Sequence, residues 1–160
     1  QGHGTQMTRT SHPSLDAAID LVWSVSIGTG DQARHRITAE PVVFGDKIFT
    51  VDSLMVLSAT TKDGKILWRK DLTPDGESSG EVSGAGLAAG AGKIFVTTAY
   101  GLLHAIDPSS GQEIWSQRLL GSGSTRPTYY DGLVYLVSND ESAWSVDAET
   151  GRVNWITFPM

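Results

Sequence analysis

The chain has 160 residues, 39% of them hydrophobic and 19% charged, a balance that suits a globular domain or a piece of one and excludes a disordered tail. Its net charge of −6, with 12 Lys and Arg residues scattered along the sequence, speaks against nucleic acid as a partner, because phosphate binding needs clustered cations. There is no cysteine, which removes disulfides, thiolate metal sites and a Cys nucleophile, and no apolar run reaches the roughly 20 residues of a membrane-spanning helix.

The chain opens at Gln1 without an initiator Met or a signal-type apolar run, which reads as a mature or trimmed N-terminus. Residues 1–20 are polar and read as an arm or loop; Leu15–Ile19 after Ser14 could make one helical turn, too short to be stable alone. Leu21–Ile27, with Trp23, matches the last strand of a blade whose other strands are absent. Arg34, His35 and Arg36 form a small basic cluster, read as a solvated loop in preference to a rim contact.

From there the pattern is all β. Lys47-Ile48-Phe49-Thr50-Val51, Lys93-Ile94-Phe95-Val96-Thr97 and Leu133-Val134-Tyr135-Leu136-Val137 are strand-type runs, broken by Gly45-Asp46, Asp63-Gly64, Ala91-Gly92 and Asp131-Gly132. An Asp-Gly pair suits a tight hairpin because Gly takes positive φ without steric penalty. Each run is followed by a second frame with Gly four residues before Trp: Gly64 and Trp68, Gly111 and Trp115, Gly151 and Trp155. The tryptophans at 23, 68, 115 and 155 are spaced by 45, 47 and 40 residues, the period of a four-stranded propeller blade. The sequence therefore predicts antiparallel blades at about 41–72, 87–119 and 127–156 within a partial β-propeller over 21–160. In the middle blade the strands are expected at about Leu87–Ala89, Lys93–Thr98, Leu102–Asp107 and Gln112–Leu119. Asp71–Gly84, rich in Gly, Ser, Asp and Glu, is the longest insertion; a solvated connector is favoured there over a functional loop.

Few residues fall in patterns that carry chemistry. Gly84-Ala85-Gly86-Leu87-Ala88-Ala89 fits a dinucleotide fingerprint only superficially, since a strand and not a helix should follow. Asp71–Gly76 begins like a calcium loop, but its twelfth position is Val82. His3, His12, His35 and His104 lack metal spacing, and His104 reads as a variant of the strand position occupied by Ser58 and Trp144. Gly121-Ser122-Gly123-Ser124 lacks the spacing of a nucleophile elbow. Asn139-Asp140-Glu141 reads as a hairpin turn in preference to a catalytic carboxylate pair. No catalytic, cofactor or metal residue is assigned.

Ser145-Val146-Asp147-Ala148-Glu149-Thr150-Gly151-Arg152-Val153-Asn154-Trp155 resembles the tryptophan-docking motif of the quinoprotein-type (PQQ-like) propellers, Ala-x-Asp-x-x-Thr-Gly-x-x-x-Trp, with Ser for the opening Ala. Ala105, Asp107, Gly111 and Trp115 form a second copy without the Thr. Ala59, Gly64 and Trp68 form a third, one residue shorter and without the Asp. The resemblance implies that each Trp is wedged between neighbouring blades while Asp and Thr tie the turn. It makes Trp23, Trp68, Trp115, Trp155, Gly64, Gly111, Gly151, Asp107, Asp147 and Thr150 the candidate docking residues. Within that superfamily the stretch from Ser11 to Trp155, including His12-Pro13 and Ala39–Val43, is similar to the outer-membrane protein assembly factor BamB family.

That likeness implies a non-catalytic periplasmic scaffold, outer-membrane associated, whose rim loops bind the barrel-assembly machinery. It implies neither a cofactor nor an activity. The family's lipid-bearing Cys is missing here, as truncation or a variant without the anchor would explain. The alternative is a fragment of a dehydrogenase that uses pyrroloquinoline quinone and Ca2+. Closed rings have ~4–8 blades. Three would leave apolar end faces, so the expectation is a fragment of a longer chain or, failing that, self-association.

Overall fold

Short strand-type runs punctuated by tight turns dictate hairpins, and in the computed structural model of the chain they form three separate four-stranded antiparallel sheets. The structure describes residues 24, 39–78, 84–121 and 123–160. The N-terminal arm with its helical turn, the strand expected around Trp23, and the Arg34-His35-Arg36 cluster lie outside the described residues. The first blade holds β1 (Val42–Phe44), β2 (Lys47–Val51), β3 (Val56–Thr61) and β4 (Ile66–Asp71). The second holds β5 (Ala85–Gly90), β6 (Lys93–Thr98), β7 (Leu102–Ile106) and β8 (Glu113–Arg118). The third holds β9 (Thr128–Tyr130), β10 (Leu133–Val137), β11 (Ala143–Asp147) and β12 (Val153–Thr157). Within each blade, strands pair in sequence order as a meander, and no helix is present among the described residues.

Turn chemistry fixes the registers. Ala91 and Gly92 have φ of 51° and 71°, and Asp131 and Gly132 have 48° and 82°. Two consecutive positive φ values make the type I′ hairpin whose twist matches the flanking strands.

The middle blade shows why the sheets must stack. Every residue of β6 is buried. Ile94 and Val96 join Phe49, Leu57 and Ile106 in a core between the first and second blades. Phe95, pointing the opposite way, joins Leu103, Val134, Leu136 and Trp144 in a core between the second and third. Period-2 alternation thus supplies one sheet with two apolar faces, each covered by a neighbour.

The strand β5 starts at Ala85, two residues before the expected Leu87. Gly and Ala carry little strand preference, so the sequence concealed it; packing decides instead. A Cβ on Gly86 would lie 2.6 Å from Arg126 Cα, and one on Gly90 would lie 2.1 Å from the Tyr129 ring. These glycines let the first strands of neighbouring blades approach each other. The same finding disposes of the dinucleotide fingerprint, since Ala85–Gly90 is itself a strand.

Tyr129 cannot readily yield, because it stacks on Phe95 at 5.9 Å and its hydroxyl accepts the Gly132 N–H at 3.1 Å. Gly90→Ala is therefore expected to destabilise the fold by roughly 1–3 kcal/mol through overpacking. Gly92→Ala, which would meet open space, should cost only the positive-φ penalty of about 1 kcal/mol. Urea unfolding of the two variants checks that order.

Candidate functional site

The chemistry-bearing residues of the repeat converge where one blade meets the next. In every blade the register aligns an aromatic residue, a small residue and a tryptophan across three strands. These rows are Phe49, Ala59 and Trp68; Phe95, Ala105 and Trp115; and Tyr135, Ser145 and Trp155. The small residue is fully buried each time. It leaves room for the two rings to tilt together across it, at centroid distances of 6.0, 6.0 and 6.2 Å. Ser145 holds the place of Ala, and its hydroxyl accepts from Asn154 Nδ2 at 3.4 Å.

Two of these indoles are seated on the following blade. Trp68 Nε1 donates to Pro108 O at 3.1 Å, and Trp115 Nε1 donates to Ala148 O at 3.0 Å. Beneath each ring lies a buried glycine, Gly111 (φ 76°) or Gly151 (φ 76°). A Cβ there would fall 2.7 Å or 2.6 Å from the indole. Glycine is thus required twice over, by positive φ and by the ring that lies against it. Trp155 has no third seat among the described residues and is 43% exposed. Gly64, at the matching place in the first blade, has φ of 86°. Trp23 lies outside the described residues.

The carboxylate of the motif builds the loop that offers the carbonyl. Asp107 Oδ1 accepts the N–H groups of Ser109 (2.8 Å) and Ser110 (3.3 Å), while Asp107 O accepts from Gly111 N at 2.9 Å. Asp147 Oδ1 accepts from Glu149 (2.9 Å) and Thr150 (3.0 Å), and Asp147 O accepts from Gly151 N at 2.8 Å. The backbone N–H of Thr150, then that of Glu149, holds the Asp147 carboxyl below its ordinary range. Thr150 Oγ1 accepts from Arg152 N at 3.3 Å. In the first blade, Thr61 Oγ1 accepts from Lys65 N at 3.1 Å and caps a loop one residue shorter.

Other contacts across the blades had no signal in the motif spacing. Lys93, 7% exposed, reaches Glu149 of the third blade at 2.9 Å. Arg126 donates through Nε to Leu87 O at 3.1 Å and through Nη1 to Glu40 Oε2 at 2.8 Å, tying together the entry segments of all three blades. Beside it opens a cleft of about 540 Å³ between β1, β5 and β9, lined by Val42, Ala88, Pro127 and Tyr129 among others. His104 is buried, with Nδ1 2.5 Å from Glu113 Oε1.

Asn139-Asp140-Glu141 forms the β10–β11 turn. Ser138 Oγ donates to Asp140 Oδ1 and accepts from Trp144 Nε1 at 2.9 Å, while Ser142 Oγ donates to Asp140 Oδ2 at 2.9 Å. The Ser138 hydroxyl, with that of Ser142 behind it, lowers the Asp140 pKa. Asp71 Oδ1 accepts from Thr73 N at 2.9 Å. Among the described residues no three His, Asp or Glu side chains group to hold a cation. No helix among them is long and apolar enough to cross a membrane.

Residues 53–159 match the sequence pattern of the outer membrane protein assembly factor BamB family. The chain is 28% identical over 145 residues to outer membrane protein assembly factor BamB of Shewanella oneidensis, covering 86% of this chain and 36% of that protein. With the same factor of Yersinia pestis it shares 26% identity over 142 residues, covering 84% of this chain and 35% of that protein. It spans about a third of the length of these relatives. Among solved structures, quinohemoprotein alcohol dehydrogenase ADHIIG from Pseudomonas putida HK5 superposes with a TM-score of 0.64 at 25% identity, over 81% of this chain and 21% of that one.

Two outcomes follow from the seats. Trp115→Ala, at a partly buried indole seated on the next blade, should cost up to about 3–5 kcal/mol, the upper range being that of a fully buried ring, whereas Trp155→Ala, at an exposed indole, should cost far less; chemical denaturation measures both. For Asp147 the folded pKa lies below the ordinary 3.8. Its contribution is therefore present above that value and lost as pH falls through the folded pKa. Acid unfolding of Asp147→Asn should lack that component.

Proposed function

The chain belongs to the outer membrane protein assembly factor BamB family, and on that premise we propose that it forms part of a non-catalytic propeller scaffold in the bacterial periplasm. Its exposed hairpin ends and rim bind proteins of the outer-membrane barrel-assembly machinery. The observation that carries this reading is how the motif's polar groups are used. The carboxylates of Asp107 and Asp147 and the indole N–H groups of Trp68 and Trp115 are all engaged in building and joining blades. A motif spent on rigidity supports a platform that presents loops.

Likeness to an alcohol dehydrogenase structure supports a second reading, a segment of an enzyme using pyrroloquinoline quinone with Ca2+. The chain covers only 21% of that enzyme, whereas the family match over residues 53–159 and the two assembly factors among its relatives favour the scaffold reading.

Affinity capture of the full-length protein from cross-linked cell envelopes tests it. The scaffold reading expects co-purification of barrel-assembly proteins, together with no dye reduction by alcohols or aldoses after addition of the quinone and Ca2+. Quinone-dependent dye reduction, or capture that recovers no envelope partner, would overturn it.

A further inference from the structure

His104, on β7, is among the buried ionisable groups outside the blade-joining motif. Along β7, Leu103 and Ala105 face the third blade, while Ile106 packs toward the first. Alternation therefore turns His104 toward the first blade as well. The side chain is only 8% exposed. Across the ladder stand Val96 and Ser116, neither of which is charged. The equivalent positions of the other blades, paired with Thr50 and Leu136, are Ser58 and Trp144, and neither titrates.

Two charged groups act on the imidazole. Glu113, at the start of β8, places Oε1 2.5 Å from Nδ1. Lys70, on β4 of the first blade, acts across the junction and opposes protonation. A carboxylate only accepts hydrogen bonds, so Nδ1 carries the proton and Nε2 is left with its lone pair. That Nε2 is buried with no hydrogen-bond partner among the described residues. A proton added there would have no acceptor, in a junction that already faces an ammonium group.

We propose that His104 is a proton-sensitive latch between the first and second blades, seated as the neutral imidazole, so that mild acidification weakens this junction and leaves the second–third junction intact. Burial, against the opposing pull of Glu113, sets the direction of its pKa below the usual 6.5. The unfolded chain then binds more protons than the folded one just below pH 6.5. The stability His104 contributes is complete above that value and is lost as pH falls toward the folded pKa. In the same range the second–third junction has Trp144 where this one has His104.

The full chain is titrated by NMR of its imidazole carbons, with His104→Gln to assign the signal. Urea unfolding and hydrogen exchange, corrected for intrinsic pH effects, are followed from pH 7.5 to 5. His104 should titrate below 6.5. The folding constant should fall by up to about tenfold per pH unit more than in His104→Gln. Protection should drop in β4 and β7 before β10 and β11. Glu113→Gln, which removes the carboxylate favouring protonation, should lower the titration further; that comparison stands even where His104→Gln fails to fold. A His104 titration at or above 6.5, or equal pH dependence in wild type and His104→Gln, overturns the proposal.

Discussion

An indole set on the backbone of the next sheet is the contact on which the architecture depends. A blade alone is a twisted four-stranded meander with two apolar faces, and the hydrophobic effect would stack such sheets in many ways, because burial is not directional. The tryptophan supplies direction. Its ring meets a glycine that no other residue could replace, and its N–H must find a carbonyl once it leaves water. Trp68 and Trp115 satisfy both conditions on successive blades, with N–H···O distances of 3.1 and 3.0 Å. The offset between blades is set by these two atoms as much as by the apolar cores.

The seat is prepared by the chain that receives it. The carboxylates of Asp107 and Asp147 fold their loops by accepting the N–H groups of Ser109 and Glu149, and those loops hold Pro108 O and Ala148 O toward the rings. On the donor side, Phe49 and Phe95 tilt against the indole from within its own blade, across a buried alanine. Preorganisation on both sides reduces the side-chain entropy lost on docking. Arg126 and Lys93 then fasten the second–third junction with charge-assisted bonds to Leu87 O and Glu149.

Much of this was legible in the residues. The Trp spacing, the Gly four residues before Trp68, Trp115 and Trp155, and the Asp-Gly and Ala-Gly turns announced blades with their turns in place. Those signals are local, and local rules govern them. The beginning of β5 was hidden because Ala85-Gly86 is chosen for closeness to Arg126, a demand placed from outside the segment. The pairing of His104 with Glu113 was equally silent: a bulge between Ala105 and Ile106 shifts the register that brings them together, and spacing alone does not reveal a bulge. His104 occupies the strand position of Ser58 and Trp144 that the repeat predicts, but its burial beside a carboxylate is a property of the stacked sheets.

The central claim is that ring and glycine act as one unit, and a double-mutant cycle on Trp115 and Gly151 measures that directly. Gly151→Ala should be severe while the indole is present, and should fall to the positive-φ penalty of about 1 kcal/mol once Trp115 is alanine, giving a coupling on the order of 1–3 kcal/mol. Additive losses, with the same cost for Gly151→Ala in both backgrounds, would mean that the indole does not rest on that glycine and that something else sets the order of the blades.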